Sequence, residues 1–158
     1  MKILVGLSLF LSSFLAFAGD LPDPQLTPGV TNPNVSQENI DETICVSGWT
    51  KTIRPPTSYT NQLKKKQIVE YGYENKDPKA YEEDHLISLQ LGGDPRNPKN
   101  LWPEPYAGPC GARVKDVLET KLKHLVCTAE ISLEEAQTAI ASDWVAAYNQ
   151  YVKPLECQ

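Results

Sequence analysis

Four cysteines, Cys45, Cys110, Cys127 and Cys157, set the first constraint on what this chain can become. None belongs to a C-x-x-C pair, so a zinc knuckle has no ligand spacing to build on. An even count in an exported chain reads instead as two disulfides. Export is what the first residues predict. In "MKILVGLSLFLSSFLAFAGD", Lys2 supplies a short basic start, an apolar run extends from Ile3 to Phe17, and Ala16-Phe17-Ala18 is an A-x-A cleavage site. The run is shorter than the ~20 residues of a membrane-spanning helix, and no Cys follows the cleavage point to make a lipoprotein. Residues 1–18 therefore read as a signal peptide, and the mature protein as periplasmic or secreted, with no stable membrane insertion. Four cysteines allow three pairings. Cys45–Cys127 with Cys110–Cys157 is the favoured one, although spacing alone does not determine it.

Without its first 18 residues the 158-residue chain keeps 140, the size of one ordinary domain with a core of its own. Losing Lys2 takes the formal net charge from −5 to −6. That sign argues against a general polyanion binder, whose footprint is basic. It leaves room for a nuclease that meets phosphate through a metal and a local basic patch.

Residues 19–41 hold four prolines and little apolar periodicity, and predict an extended, flexible leader. A single domain then covers 42–158, its folded part opening near Ile44. "VSGWTKTIRPPTSYT" is aromatic, β-branched and Pro-punctuated, and predicts a short strand and a turn, with Pro55-Pro56 stopping any helix. "TNQLKKKQIVEYGY" predicts a helix capped by Thr60 and ended by Gly72, with Leu63, Ile68 and Tyr71 on one face. Its Lys64-Lys65-Lys66 run reads first as a solvated face and second as a phosphate-tracking patch. In "GARVKDVLETKLKHLVC", Val114, Val117, Leu118, Leu122 and Leu125 mark an apolar stripe, with Lys115, Asp116, Glu119 and Lys123 away from it. Ser132 and Glu135 make a capping box for a last helix, along which Ala136, Ile140, Trp144 and Tyr148 recur every four residues.

The stretch "EEDHLISLQLGGDPRNPKNLWPEP", residues 82–105, carries the chemistry. "LISLQL" alternates as a half-buried strand does, Gly92 to Pro98 is turn chemistry, and "NLW" starts a second strand. Asp84-His85 stands at the mouth of the first strand and Asn100 closes the loop. Asp-His, a strand ending in Gly-Gly, Asn-Leu after a loop and then a helix resemble the ββα-metal, or His-Me finger, nucleases of the HNH endonuclease superfamily. "GWTKTIRPPTSYT", "EEDHLISLQLGG…NLWPEP" and "AQTAIASDWVAAY" are also similar to a group of small exported bacterial proteins with this motif, so the resemblance runs from Ile44 to Tyr151.

The resemblance implies an α+β fold in which a ββα-metal finger packs with further helices. It implies a divalent-metal phosphodiesterase acting on DNA or RNA. Asp84 would ligate a single divalent cation, Mg²⁺ ahead of Mn²⁺ or Zn²⁺, since hard cations prefer oxygen. His85 would be the general base, and Asn100 the residue that pins the loop so that the imidazole points correctly. Where the family supplies a further His or Asn ligand from the following helix, this chain offers Asp116 or Glu119 as ligand and Lys115 as a phosphate contact. These three read equally as helix surface. Glu82 and Glu83 read as solvated, His124 as a surface residue, Trp49 and Trp144 as core, and Trp102-Pro103-Glu104-Pro105 as packing. Asp84-His85 also has a purely structural reading, a hydrogen-bonded pair at a strand mouth. The rival function is an exported binding or envelope protein that keeps the finger as a scaffold. A Ser or Cys hydrolase has no G-x-S-x-G and no spare cysteine to draw on.

Overall fold

The computed structural model describes residues 21–157; the signal peptide read from residues 1–18 lies outside them. The fold is mixed α+β. In chain order it contains α1 (Trp49–Ile53), α2 (Thr57–Glu70), β1 (Tyr81–His85), β2 (Leu101–Pro105), α3 (Ala112–Cys127) and α4 (Leu133–Tyr151). β1 and β2 form one antiparallel hairpin, with Tyr81 opposite Pro105, Glu82 opposite Glu104, Asp84 opposite Trp102 and His85 opposite Leu101. α2 packs against both strands, and α3 packs along α4.

α3 and α4 form because their apolar residues recur at helical spacing. Leu118, Leu122 and Val126 of α3 meet Ala136, Ile140, Trp144 and Tyr148 of α4 in the core. The Ser132 hydroxyl accepts a bond from the Glu135 amide at 3.0 Å and opens α4 as expected. Glu135 does not complete a reciprocal box, because its carboxylate accepts from the Tyr151 hydroxyl instead, at 3.0 Å. α4 is also two helical pieces rather than one. Asp143 has φ −164° and ψ 92°, and its carboxylate caps the amides of Val145 (3.0 Å) and Ala146 (2.9 Å), so the second piece carries its own start signal. Both favoured disulfides are formed, Cys45–Cys127 and Cys110–Cys157, each with 5.6 Å between Cα atoms. Among the described residues no helix is long and apolar enough to cross a membrane.

Several local expectations differ. The strand predicted before Pro55 is the short helix α1, entered through Gly48 at φ +81° and ended by the proline pair. Propensity for strand is a weak constraint when no neighbouring edge is offered. α2 then starts at Thr57, directly after the extended Pro56, three residues ahead of the cap expected at Thr60. Gly72, at φ +69°, follows its end as expected.

The first strand of the hairpin is not "LISLQL" but the charged Tyr81–His85 before it. Leu86, Ile87, Leu89 and Leu91 are all buried, so the alternation does not divide a wet face from a dry one. The Asn100 side chain replaces the ladder at Ile87, and Ser88 caps a 3-10 turn over Leu89–Leu91.

The Pro-rich leader, expected to be flexible, is from Leu21 onward a strap laid along the hairpin loop. Thr27 is fully buried; its hydroxyl donates to the Leu101 carbonyl (3.2 Å) and accepts from the Tyr71 hydroxyl (2.7 Å). Backbone bonds join Gly29 to Lys99, Asn32 to Gly92 and Asp94 to Val30. Of the two tryptophans read as core, Trp144 is buried and Trp49 is half-buried at the core's edge.

Candidate active site

Side chains alternate along a strand, so Asp84 and His85 leave β1 on opposite faces. Each face carries a separate constellation.

On the Asp84 face stands a buried lysine. The Lys115 ammonium donates to Asp84 Oδ2 at 2.6 Å, to the His85 carbonyl at 2.9 Å and to Glu119 Oε1 at 2.5 Å. Glu119 Oε2 accepts from the Ser88 hydroxyl at 2.7 Å. All three ammonium hydrogens are thus used, and the Lys115 side chain is fully buried. Lys115 and Glu119 lie one turn apart on the covered side of α3, beside Leu118 and Leu122, and not away from the apolar stripe as expected. Val117, expected in that stripe, is 47% exposed. Positions 115, 118, 119, 122 and 126 themselves keep helical spacing, a pattern hidden by the charges at two of them.

Protonation follows from this packing. Burial works against the Lys115 charge, but Asp84 and Glu119 outweigh it and hold the ammonium well above its usual range. Burial likewise pushes the Asp84 carboxyl up, and Lys115, with a smaller contribution from the nearby Glu104, brings it below its usual value. Glu104, on β2, is fully buried, and neither of its oxygens accepts a hydrogen bond. Burial raises its pKa well above the usual carboxyl range, and the neighbouring Asp84 charge adds to the rise against the pull of Lys115. Burial also lifts Glu119 to about 7, against the pull of Lys115. Glu104 was legible in the sequence only as part of a packing motif. Its role depends on standing diagonally across the hairpin from Asp84.

On the other face, the His85 ring lies 3% exposed, with Nε2 at 3.1 Å from the Pro95 carbonyl. A carbonyl can only accept, so Nε2 carries the proton and Nδ1 keeps its lone pair. Burial lowers the His85 pKa, opposed by Asp84 and by the Pro95 bond and assisted by Arg54. The ring is therefore a neutral base. Pro95 is placed by Asn100, which is fully buried: Oδ1 accepts from the amides of Ile87 (3.0 Å) and Val30 (3.2 Å), and Nδ2 donates to the carbonyls of Ile87 and Asp94, both at 3.0 Å. These four bonds tie Asn100 to the backbone of Val30, Ile87 and Asp94.

Glu83, two residues before His85 on the same face, has both oxygens shielded from water and without a hydrogen-bond partner. Burial raises its pKa to about 8, with partial relief from Lys64. Glu82 and Glu83, expected to be solvated, are both half-buried. Lys64 is also not free in solvent: its ammonium donates to the Tyr81 carbonyl at 2.8 Å, while Lys65 and Lys66 are exposed. Nearby, the Tyr59 hydroxyl donates to the Arg96 carbonyl at 2.5 Å and the Arg96 guanidinium lies 5.6 Å from the Tyr59 ring centre.

The predicted site residues thus separate into two groups. Asp84, His85, Asn100, Lys115 and Glu119 converge on the end of the hairpin. Asp116 points outward on α3 and pairs with Arg113 at 3.3 Å, and His124 is exposed. The expected metal ligands Asp84, Asp116 and Glu119 therefore do not come together. Two of them already hold the Lys115 ammonium, and the second oxygen of Glu119 is taken by Ser88. Among the described residues no group of three His, Cys, Asp or Glu side chains is arranged to hold a metal ion. The donor set does not fit the divalent cation that the resemblance implies. Set against family models, curated proteins and solved structures, the chain has no match in any of the three comparisons.

Proposed function

We propose that this is an exported phosphodiesterase that hydrolyses nucleic acid, with the β1–β2 hairpin and α3 as a ββα finger and His85 as the general base. The observation that carries this reading is the state of the His85 ring. Its Nε2–H is tied to the Pro95 carbonyl on a loop pinned by Asn100, so the free lone pair sits on Nδ1. A water bound at Nδ1 gives its proton to the ring as its oxygen attacks phosphorus. The P–O bond to the leaving oxygen breaks, and that oxygen takes up a proton from solvent. The Asp84 carboxylate favours the imidazolium formed in between. Lys115 acts as a positioning residue, because a fully buried ammonium with all its hydrogens bonded has none left for phosphate. The exposed Arg54, whose charge acts on His85, is the cation available to the substrate. Two disulfides support an extracytoplasmic setting.

The test is incubation of the oxidised protein with plasmid DNA and with total RNA, in Mg²⁺, in Mn²⁺ and in EDTA, beside His85→Ala. Cleavage that is lost in a folded His85→Ala supports the proposal. A folded wild type that cuts neither polymer in any of the three rejects it. One observation favours a second reading, a binding protein that keeps the finger as scaffold: His85 is only 3% exposed. Absent cleavage with retained affinity for a ligand would select it.

A further inference from the structure

The disagreement between the Asp84 face and the metal expected there has its own explanation. We propose that the ammonium of Lys115 is the resident cation of this site, occupying the place of a divalent metal, so that the site is assembled and charge-balanced without one.

The geometry has three parts. The ammonium is enclosed by oxygen: a carboxylate from β1 at 2.6 Å, a carboxylate from its own helix at 2.5 Å and the His85 carbonyl at 2.9 Å. Carboxylates and a carbonyl are the donors a hard divalent cation uses, here closed around nitrogen. Second, the outer partner of Glu119 is in place, since Ser88 donates to its far oxygen. Third, Lys115 cannot step aside. Its side chain is fully buried and reaches the cage from α3, whose neighbouring Leu118 and Leu122 are fixed in the core. A divalent ion entering between Asp84 and Glu119 would meet the ammonium at contact distance with no water to screen the repulsion. The carbonyl bond matters for the other face as well. It belongs to His85 itself, so the cation holds the backbone from which the imidazole projects.

The inference rests on the finger reading of the hairpin and α3, but metal binding is measured without a substrate, so its failure and that of the phosphodiesterase reading are distinguishable. The experiment is calorimetric titration and thermal unfolding of the oxidised protein with Mg²⁺, Mn²⁺, Zn²⁺ and EDTA. The expected result is no saturable binding at millimolar Mg²⁺ or Mn²⁺ and an unfolding midpoint that neither metal nor EDTA moves. Stoichiometric binding that raises the midpoint and is lost in Asp84→Asn would overturn the proposal. Lys115→Ala supplies the converse. It vacates the cage and leaves the buried Glu119 and part-buried Asp84 carboxylates unpaired, so Mg²⁺ or Mn²⁺ should raise its lowered midpoint saturably. A folded Lys115→Ala indifferent to both metals would overturn the claim that the ammonium stands in a cation's place. If that variant does not fold, the wild-type titration alone decides.

Discussion

Replacing Glu83 by glutamine should stabilise the protein in alkaline solution and leave it nearly unchanged in mild acid. Both oxygens of this carboxyl are shut off from water without a hydrogen-bond partner, and burial lifts its pKa from 4.5 to about 8. The unfolded chain releases this proton near 4.5 while the native protein keeps it until about 8. Native protein therefore binds more protons across that window, and stability falls as pH rises through it. At ~1.4 kcal/mol for each pH unit of the difference, the upper limit is ~5 kcal/mol; water reaching a half-buried side chain reduces it, so ~2–5 kcal/mol is expected. A glutamine amide has no charge to desolvate. Urea unfolding with the disulfides intact, repeated from about pH 5 to about pH 9, should give near-equal stabilities at the acid end. The gap in favour of Glu83→Gln should then open by at most ~1.4 kcal/mol per pH unit and level off above about pH 8. A gap that does not change with pH, or one that favours wild type at the alkaline end, would refute the placement of this carboxyl. Glu104 and Glu119 contribute slopes of the same sign, which is why the difference between the two proteins is the quantity to read.

Asn100→Ala removes four hydrogen bonds and leaves their backbone partners inside the fold, and should cost about 3–5 kcal/mol; amide exchange at Ile87 should quicken with it. Gly93→Ala would drive a Cβ into the Ile87 carbonyl and crowd Asn100 Nδ2 at 2.8 Å, with backbone rather than a movable side chain in the way. It should fail to fold or lose more than ~4 kcal/mol, read from soluble yield and circular dichroism. Opening the Cys45–Cys127 bridge by a double serine variant frees a loop of 82 residues and should lower stability by about 2–5 kcal/mol in chemical denaturation. Asp143→Ala removes the second cap of α4 and should cost ~1 kcal/mol by the same measurement.

Much of this protein was decided by short-range chemistry and could be read along the chain. Ser132 starts α4 because a hydroxyl beside free amides caps them wherever they occur, and Ala136, Ile140, Trp144 and Tyr148 share a face because a helix turns every 3.6 residues. The proline pair separates α1 from α2 for an equally local reason. Asn100 could be singled out as the residue closing the hairpin loop, and Asp84-His85 as the pair at its mouth.

What lay beyond the sequence depends on what stands opposite. Glu82 and Glu83 read as solvated until α2 and α3 cover the two faces of the hairpin, and only then are they part of the strand. Lys115 and Glu119 read as helix surface because charge predicts exposure. They turn inward because Asp84, some thirty residues away in sequence, completes a cage in which each charge meets its opposite. Helix caps and periods involve residues within a turn or two of one another. Burial of a charge depends on a partner brought from another element, and only the tertiary fold can supply it.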